Sequence, residues 1–201
     1  IVSHSLGARL VIPAVEYVDR SSSNADSSNI SNIILAAPDV DRQDFERDII
    51  EEVLSARRVN NDRRITVYAS VNDKALALSR SLHGYPRLGS PYCFDPFEAA
   101  DLKAQGLAER CYAAKGRYTE EPSKSGFTIV DTSDVSRGQS GHSDFLRSAA
   151  ACKDFVATIN GQRETVPGRS ATHLPYVFRL MPAGKKSEQD DISVCKWSPL
   201  P

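Results

Sequence analysis

No stretch of the 201 residues approaches the roughly 20 consecutive apolar positions that a membrane-spanning helix requires, so no span is expected. Neither sign of charge prevails. With 25 Lys and Arg against 26 Asp and Glu, the formal net charge is −1, and no global basic field exists to hold a nucleic-acid backbone. Cysteine is scarce: Cys93, Cys111, Cys152 and Cys195 form no Cys-x-x-Cys pair and have no matching histidine spacing. A zinc module or disulfide framework is therefore not expected, and reduced core thiols are the default. No internal repeat and no Gly-rich phosphate loop is present, since Gly84, Gly89 and Gly106 lie outside any such fingerprint. An initiator methionine is also missing, and the chain opens on the apolar Ile1-Val2. The expectation is the C-terminal part of a longer protein whose targeting signals cannot be read, with soluble, cytoplasmic residence as the working assumption.

What is present is the balance of a packed domain, 40 % hydrophobic and 25 % charged, enough to bury a core. Short apolar strands alternate with amphipathic helices, the pattern of an α/β fold with a parallel sheet covered by helices. Ile1 to Ser3 reads as a strand end. Leu6 to Val18 reads as a helix kinked or weakened by Pro13, and 21–29 as a Ser-rich loop. Ile30 to Ala37 has three consecutive branched residues at 33–35, as in a strand buried on both faces. Asp41 can cap a helix whose apolar stripe is Phe45, Ile49, Ile50, Val53 and Leu54, with Arg57 and Arg58 at its C-terminus. Ile65 to Ala69 and Phe127 to Val130 are further strands, and a helix follows Asp73. Asp95-Pro96-Phe97-Glu98 has the form of a helix start, and a helix to about Ala114 would be an insertion within residues 90–126. Asp144 to Ile159 predicts one last helix. From residue 161 to 201 periodicity fades, and an irregular tail is expected behind a domain over residues 1–160.

The segment Ser3-His4-Ser5-Leu6-Gly7, between a strand end and a helix start, has the small-x-Ser-x-Gly form of a nucleophile elbow. Such a turn strains its central residue and crowds the residues two before and two after it, which must be small. The helix N-terminus beneath the serine favours negative charge developing there. On the other reading, Ser3 or Ser5 simply caps the helix. An elbow serine needs a base and an acid that orients the base, each in a loop at the carboxyl end of a later strand. Asp73 follows the Ile65–Ala69 strand and His142 follows the Phe127–Val130 strand, in the order Ser, Asp, His. Asp39 and Asp41 are the alternative acids from one strand earlier, although turn and cap roles suit them; Asp73 could itself be only a cap. His4, His83 and His173 are the other histidines, and His4 is expected to shape the turn rather than take a proton.

Five segments strengthen this reading: Ser3 to Arg9, Leu35-Ala36-Ala37-Pro38-Asp39-Val40-Asp41, Thr66 to Leu76, Pro86-Arg87-Leu88-Gly89 and Gly141-His142-Ser143. In this order they resemble the uncharacterised esterase/lipase-like family of α/β hydrolases catalogued as a domain of unknown function (DUF900-like), over about residues 1–157. The resemblance implies the C-terminal half of an α/β-hydrolase fold, with Ser5 as nucleophile, Asp73 as acid and His142 as base. The Leu6 N–H would be one oxyanion donor, the other lying upstream of Ile1. Ser3 stands where Gly or Ala is more usual, and residues 90–126 are longer than the family pattern and could form a lid. The expected function is hydrolysis of a small-molecule or lipid carboxylic ester, with no metal or organic cofactor and no nucleic-acid partner. This segment by itself is expected to be inactive. The rival from another class is a non-catalytic domain of the same fold used for binding or scaffolding.

Overall fold

The computed structural model describes residues 1–21, 30–54, 63–93, 100, 103–104, 110–113, 116–136, 140–162 and 166–182. Strand β1 (Val2–His4) runs through a tight turn, Ser5–Gly7, into helix α1 (Ala8–Ser21), which continues through Pro13. Strand β2 (Asn32–Ala36) leads to α2 (Arg42–Asp44), a π-helical turn (Phe45–Ile49) and α3 (Ile50–Leu54). Strand β3 (Arg64–Ala69) is followed by α4 (Lys74–His83), and α5 (Pro122–Ser125) precedes β4 (Phe127–Asp131). The remaining elements are α6 (Asp144–Arg147), α7 (Ala149–Ile159), β5 (Arg169–Ala171) and β6 (Val177–Leu180).

These strands form a six-stranded sheet in the order β1-β2-β3-β4-β6-β5, parallel except for β5. Because side chains alternate along a strand, each central strand supplies both faces. Ile33, Leu35, Ile65, Val67, Phe127 and Ile129 pack with Ala8, Ile12 and Val15 of α1 and with Phe45, Ile50 and Val53 beyond β2. Ile34, Ala36, Tyr68, Val130 and Leu180 pack on the other face with Phe145, Ala151 and Phe155. The consecutive branched residues of β2 are thus explained: helices cover both sides. The same parallel register brings the carboxyl ends of β1 to β4 to one edge, where the loops carrying Ser5, Asp73 and His142 begin.

Four expectations need correction. The residues from 161 onward are not uniformly irregular, since β5 and β6 extend the sheet and Val177 and Leu180 are fully buried. The helix expected over Asp144–Ile159 breaks at Ser148, which adopts extended backbone and caps α7 by accepting from the Ala151 N–H. The helix start at 95–98 and the loop at 22–29 lie outside the described residues, as do Arg57 and Arg58. Arg110 to Ala113, however, is not helical, and Arg110 pairs with Tyr92 in an antiparallel bridge. Beside that bridge Cys93 and Cys111 form a disulfide, and Cys152 is also disulfide-bonded, so these three thiols are not reduced. Disulfides persist in oxidising compartments, and the pairing gives the cytoplasmic assumption no support.

The strands past residue 166 are fastened by a buried polar cluster. Asp154 on α7, fully buried, accepts from Tyr68 Oη on β3 at 2.6 Å and from Arg169 Nε on β5 at 2.6 Å. Arg169 Nη2 also reaches Asp154 Oδ1 at 3.0 Å and Thr158 Oγ1 at 2.9 Å. Burial beside this carboxylate pushes the Tyr68 phenol well above its ordinary value and keeps it a donor. Asp154→Ala leaves a buried guanidinium without its carboxylate, and denaturant unfolding is expected to show a loss of about 3–5 kcal/mol.

Candidate active site

The first site residue is placed by the turn after β1. His4 is still extended, whereas Ser5 has φ +55°, the left-handed region that a residue with a side chain adopts only at a cost of about 1–2 kcal/mol. The Ser5 carbonyl accepts from the Asp39 N–H at 3.1 Å, which pins the turn to the end of β2. Ser5 opens the helical run into α1, so its side chain stands at a positive helix end. Leu6 follows it there, where N–H groups have no acceptor within the helix. The small residues meet as an elbow requires, but loosely: a Cβ added at Gly7 would come no nearer than 3.9 Å, to Ser3 Cβ. Ser3 is buried, and its Oγ has no hydrogen-bond partner among the described residues.

Asp73 and His142 meet across the loops after β3 and β4. His142 Nδ1 lies 2.7 Å from Asp73 Oδ2, with the carboxylate 1 % exposed and the imidazole 18 % exposed. An ionised carboxylate can only accept, so the proton sits on Nδ1, which leaves Nε2 as the free acceptor of the neutral ring. Asp73 also caps α4, its Oδ1 accepting from the Leu76 N–H at 2.9 Å. Burial raises its carboxyl above the usual range, opposed by hydrogen bonds from the Leu76 amide and His142. The cap and the contact with His142 thus come from the same residue and use different oxygens.

The two loops are bolted together on either side of this contact. The Val71 N–H donates to Ser133 Oγ at 3.0 Å and Asn72 Nδ2 donates to the Ser133 carbonyl at 2.9 Å. The Lys74 N–H donates to the Ser140 carbonyl at 2.8 Å. Asp131, fully buried at the end of β4, holds Ser133 and accepts from Tyr112 Oη at 2.6 Å and Arg110 Nη1 at 2.8 Å. Gly141 makes the closest approach. It has φ +70°, and a Cβ there would lie 2.3 Å from the Asn72 carbonyl oxygen.

Asp39 and Asp41 are engaged elsewhere. Asp39 Oδ1 accepts from Ser79 Oγ at 2.7 Å and faces Arg87 Nε at 3.3 Å, while Oδ2 pairs with Arg9 at 3.2 Å. Asp41 Oδ1 caps α2 through the Gln43 and Asp44 N–H groups. His83 donates to the Ser79 carbonyl one turn back on α4, and His173 is exposed before β6. Ser5 Oγ has no hydrogen-bond partner among the described residues; contacts between nucleophile and base commonly tighten as substrate docks. A groove of about 610 Å³ between α1 and the segment after β2, lined by Arg9, Glu16, Asp41 and Arg87 among others, includes none of Ser5, Asp73 and His142. No group of three or more metal-ligating side chains occurs among the described residues. None of the described helices is long and apolar enough to cross a membrane.

A mostly parallel sheet with helices on both faces, and a serine at positive φ between its first described strand and helix, fit the α/β-hydrolase class. Residues 1–163 match the family described as alpha/beta hydrolase of unknown function (DUF900), and the chain belongs to it. Comparison with curated proteins and with solved structures returned no match.

Sequence reading reached Gly141 only as part of a motif, and it missed Ser133 and Asp131 because nothing local marks a loop-to-loop hydrogen bond. Gly141→Ala combines a backbone clash with left-handed strain, and a loss of about 2–4 kcal/mol in denaturant unfolding is expected. The same variant should lose the far-downfield proton resonance of His142 Nδ1–H. Ser3→Ala removes a buried hydroxyl that bonds to nothing, and a gain of about 1 kcal/mol in the same assay is expected.

Proposed function

We propose that this protein is a serine hydrolase acting on a carboxylic ester. Ser5 attacks the carbonyl carbon while His142 Nε2 takes its proton, and the Leu6 N–H donates to the developing oxyanion. Asp73 holds the imidazole in the Nδ1–H tautomer and stabilises the imidazolium. The tetrahedral intermediate collapses, the alkoxide leaves with the proton from His142, and an acyl-Ser5 remains. Water then attacks the acyl carbon, giving a proton to His142, and the Ser5 oxygen leaves with that proton as the acid is released. The observation that carries this reading is the 2.7 Å contact between His142 Nδ1 and the buried Asp73. A buried carboxylate raised by desolvation is a cost that a cap alone does not require, and such perturbed groups concentrate at functional sites. Ester is preferred over amide by analogy with the fold, and a small-molecule or lipid ester is the substrate class.

Fluorophosphonate labelling of the full-length protein, read by intact mass, tests the proposal. One adduct that disappears in Ser5→Ala is expected; a folded protein that takes up no probe would instead assign the domain to binding or scaffolding. Asp73→Asn is expected to slow labelling on the order of 10³–10⁴-fold, because the amide favours the wrong tautomer. Its stability should move the other way. A carboxyl raised in the folded state contributes stability below its unfolded value and loses it as pH rises through the folded value. At neutral pH the ionised group is a burden, so Asp73→Asn, which keeps an oxygen to cap α4, is expected to melt no lower than the parent.

A further inference from the structure

His4 precedes the nucleophile and has an exposed side chain, yet that side chain is held. Its Nε2 lies 2.9 Å from the carbonyl oxygen of His142, and its ring centroid is 4.7 Å from the His142 ring and 5.2 Å from Phe145. A carbonyl only accepts, so His4 donates and Nε2 carries a hydrogen. Resting on the serine-hydrolase reading above, we propose that His4 is a positioning residue that straps the nucleophile turn to the base loop and so sets the separation of Ser5 from His142.

The other fastenings of the site cannot do this. Lys74 to Ser140, Val71 and Asn72 to Ser133, and Asp73 to His142 all fix the base loop against the acid loop. The Asp39 amide fixes Ser5 against the end of β2. Among the described residues the His4 bond is the only hydrogen bond between residues 1–9 and the loop after β4. It joins the residue next to the nucleophile with the backbone of the base itself, so the path between the two reacting side chains is one side chain long. Phe145, at the start of the helix that follows the loop, closes one side of the His4 ring and limits its rotation. Geometry of this kind matters because a displacement of about 1 Å between reacting groups can cost 10²-fold in rate.

His4→Phe keeps an aromatic ring against His142 and Phe145 but removes the donor, and His4→Gln keeps an N–H near the Nε2 position. In the full-length protein, His4→Phe is expected to lower the maximal fluorophosphonate inactivation rate about three- to tenfold, the scale of one neutral hydrogen bond, with the probe's half-saturation concentration unchanged. It should also speed solvent exchange of the His142 Nδ1–H resonance, and His4→Gln should recover both. A His4→Phe protein that matches the parent in rate and exchange overturns the proposal. So does a rate loss that tracks a lower melting temperature and is not recovered by Gln, which would make His4 a structural residue only. A parent protein inert to the probe would sink the hydrolase reading itself, whereas the exchange measurement still decides the strap, being independent of Ser5.

Discussion

A carboxylate can leave water only where donors replace the water it loses, and Asp73 is buried at the place where the loops after β3 and β4 meet. One oxygen is satisfied by the start of α4 and the other by His142. The position of the His142 ring therefore answers the electrostatic need of the buried Asp73 carboxylate. Much else follows from that need. The two loops must approach until Gly141 touches the Asn72 carbonyl, and Ser133 must bridge them from the side. The parallel register of β3 and β4, with Ala69 opposite Asp131, brings both loop origins to the same level.

Costs are concentrated at this edge of the sheet. Ser5 and Ala37, the residues with side chains found at positive φ, end β1 and β2, and Ser3 buries an unbonded hydroxyl beneath the turn. Asp73 carries a desolvation cost of its own. The opposite situation holds inside, where the central strands supply two apolar layers and the polar cluster around Asp154 is densely bonded. Backbone strain and desolvation cost thus gather along the carboxyl edge of the sheet, away from its apolar layers.

This division explains what the sequence could tell. The central strands and their helices were legible because burial on both faces leaves unbroken apolar runs, as in Ile33-Ile34-Leu35. Ser5, Asp73 and His142 were legible as candidates because chain order and strand ends constrain them together. The strands at 169–180 were not, since β5 is mostly exposed and β6, only four residues long, breaks the two-residue period by placing half-buried Phe178 and Arg179 side by side between buried Val177 and Leu180. The break at Ser148 was hidden because helical periodicity on either side of it is nearly in phase. The Cys93–Cys111 pairing, 18 residues apart, depends on a bridge between Tyr92 and Arg110 that no local pattern announces.

That pairing bears on how the edge is held. Cys111 sits between Arg110 and Tyr112, the two residues that donate to the buried Asp131 at the end of β4. Asp131 in turn holds Ser133, and Ser133 holds the acid loop through Val71 and Asn72. The described ends of this stretch are thus joined to each other by the Cys93–Cys111 bond, and its return is tied to the end of β4 by the hydrogen bonds from Arg110 and Tyr112.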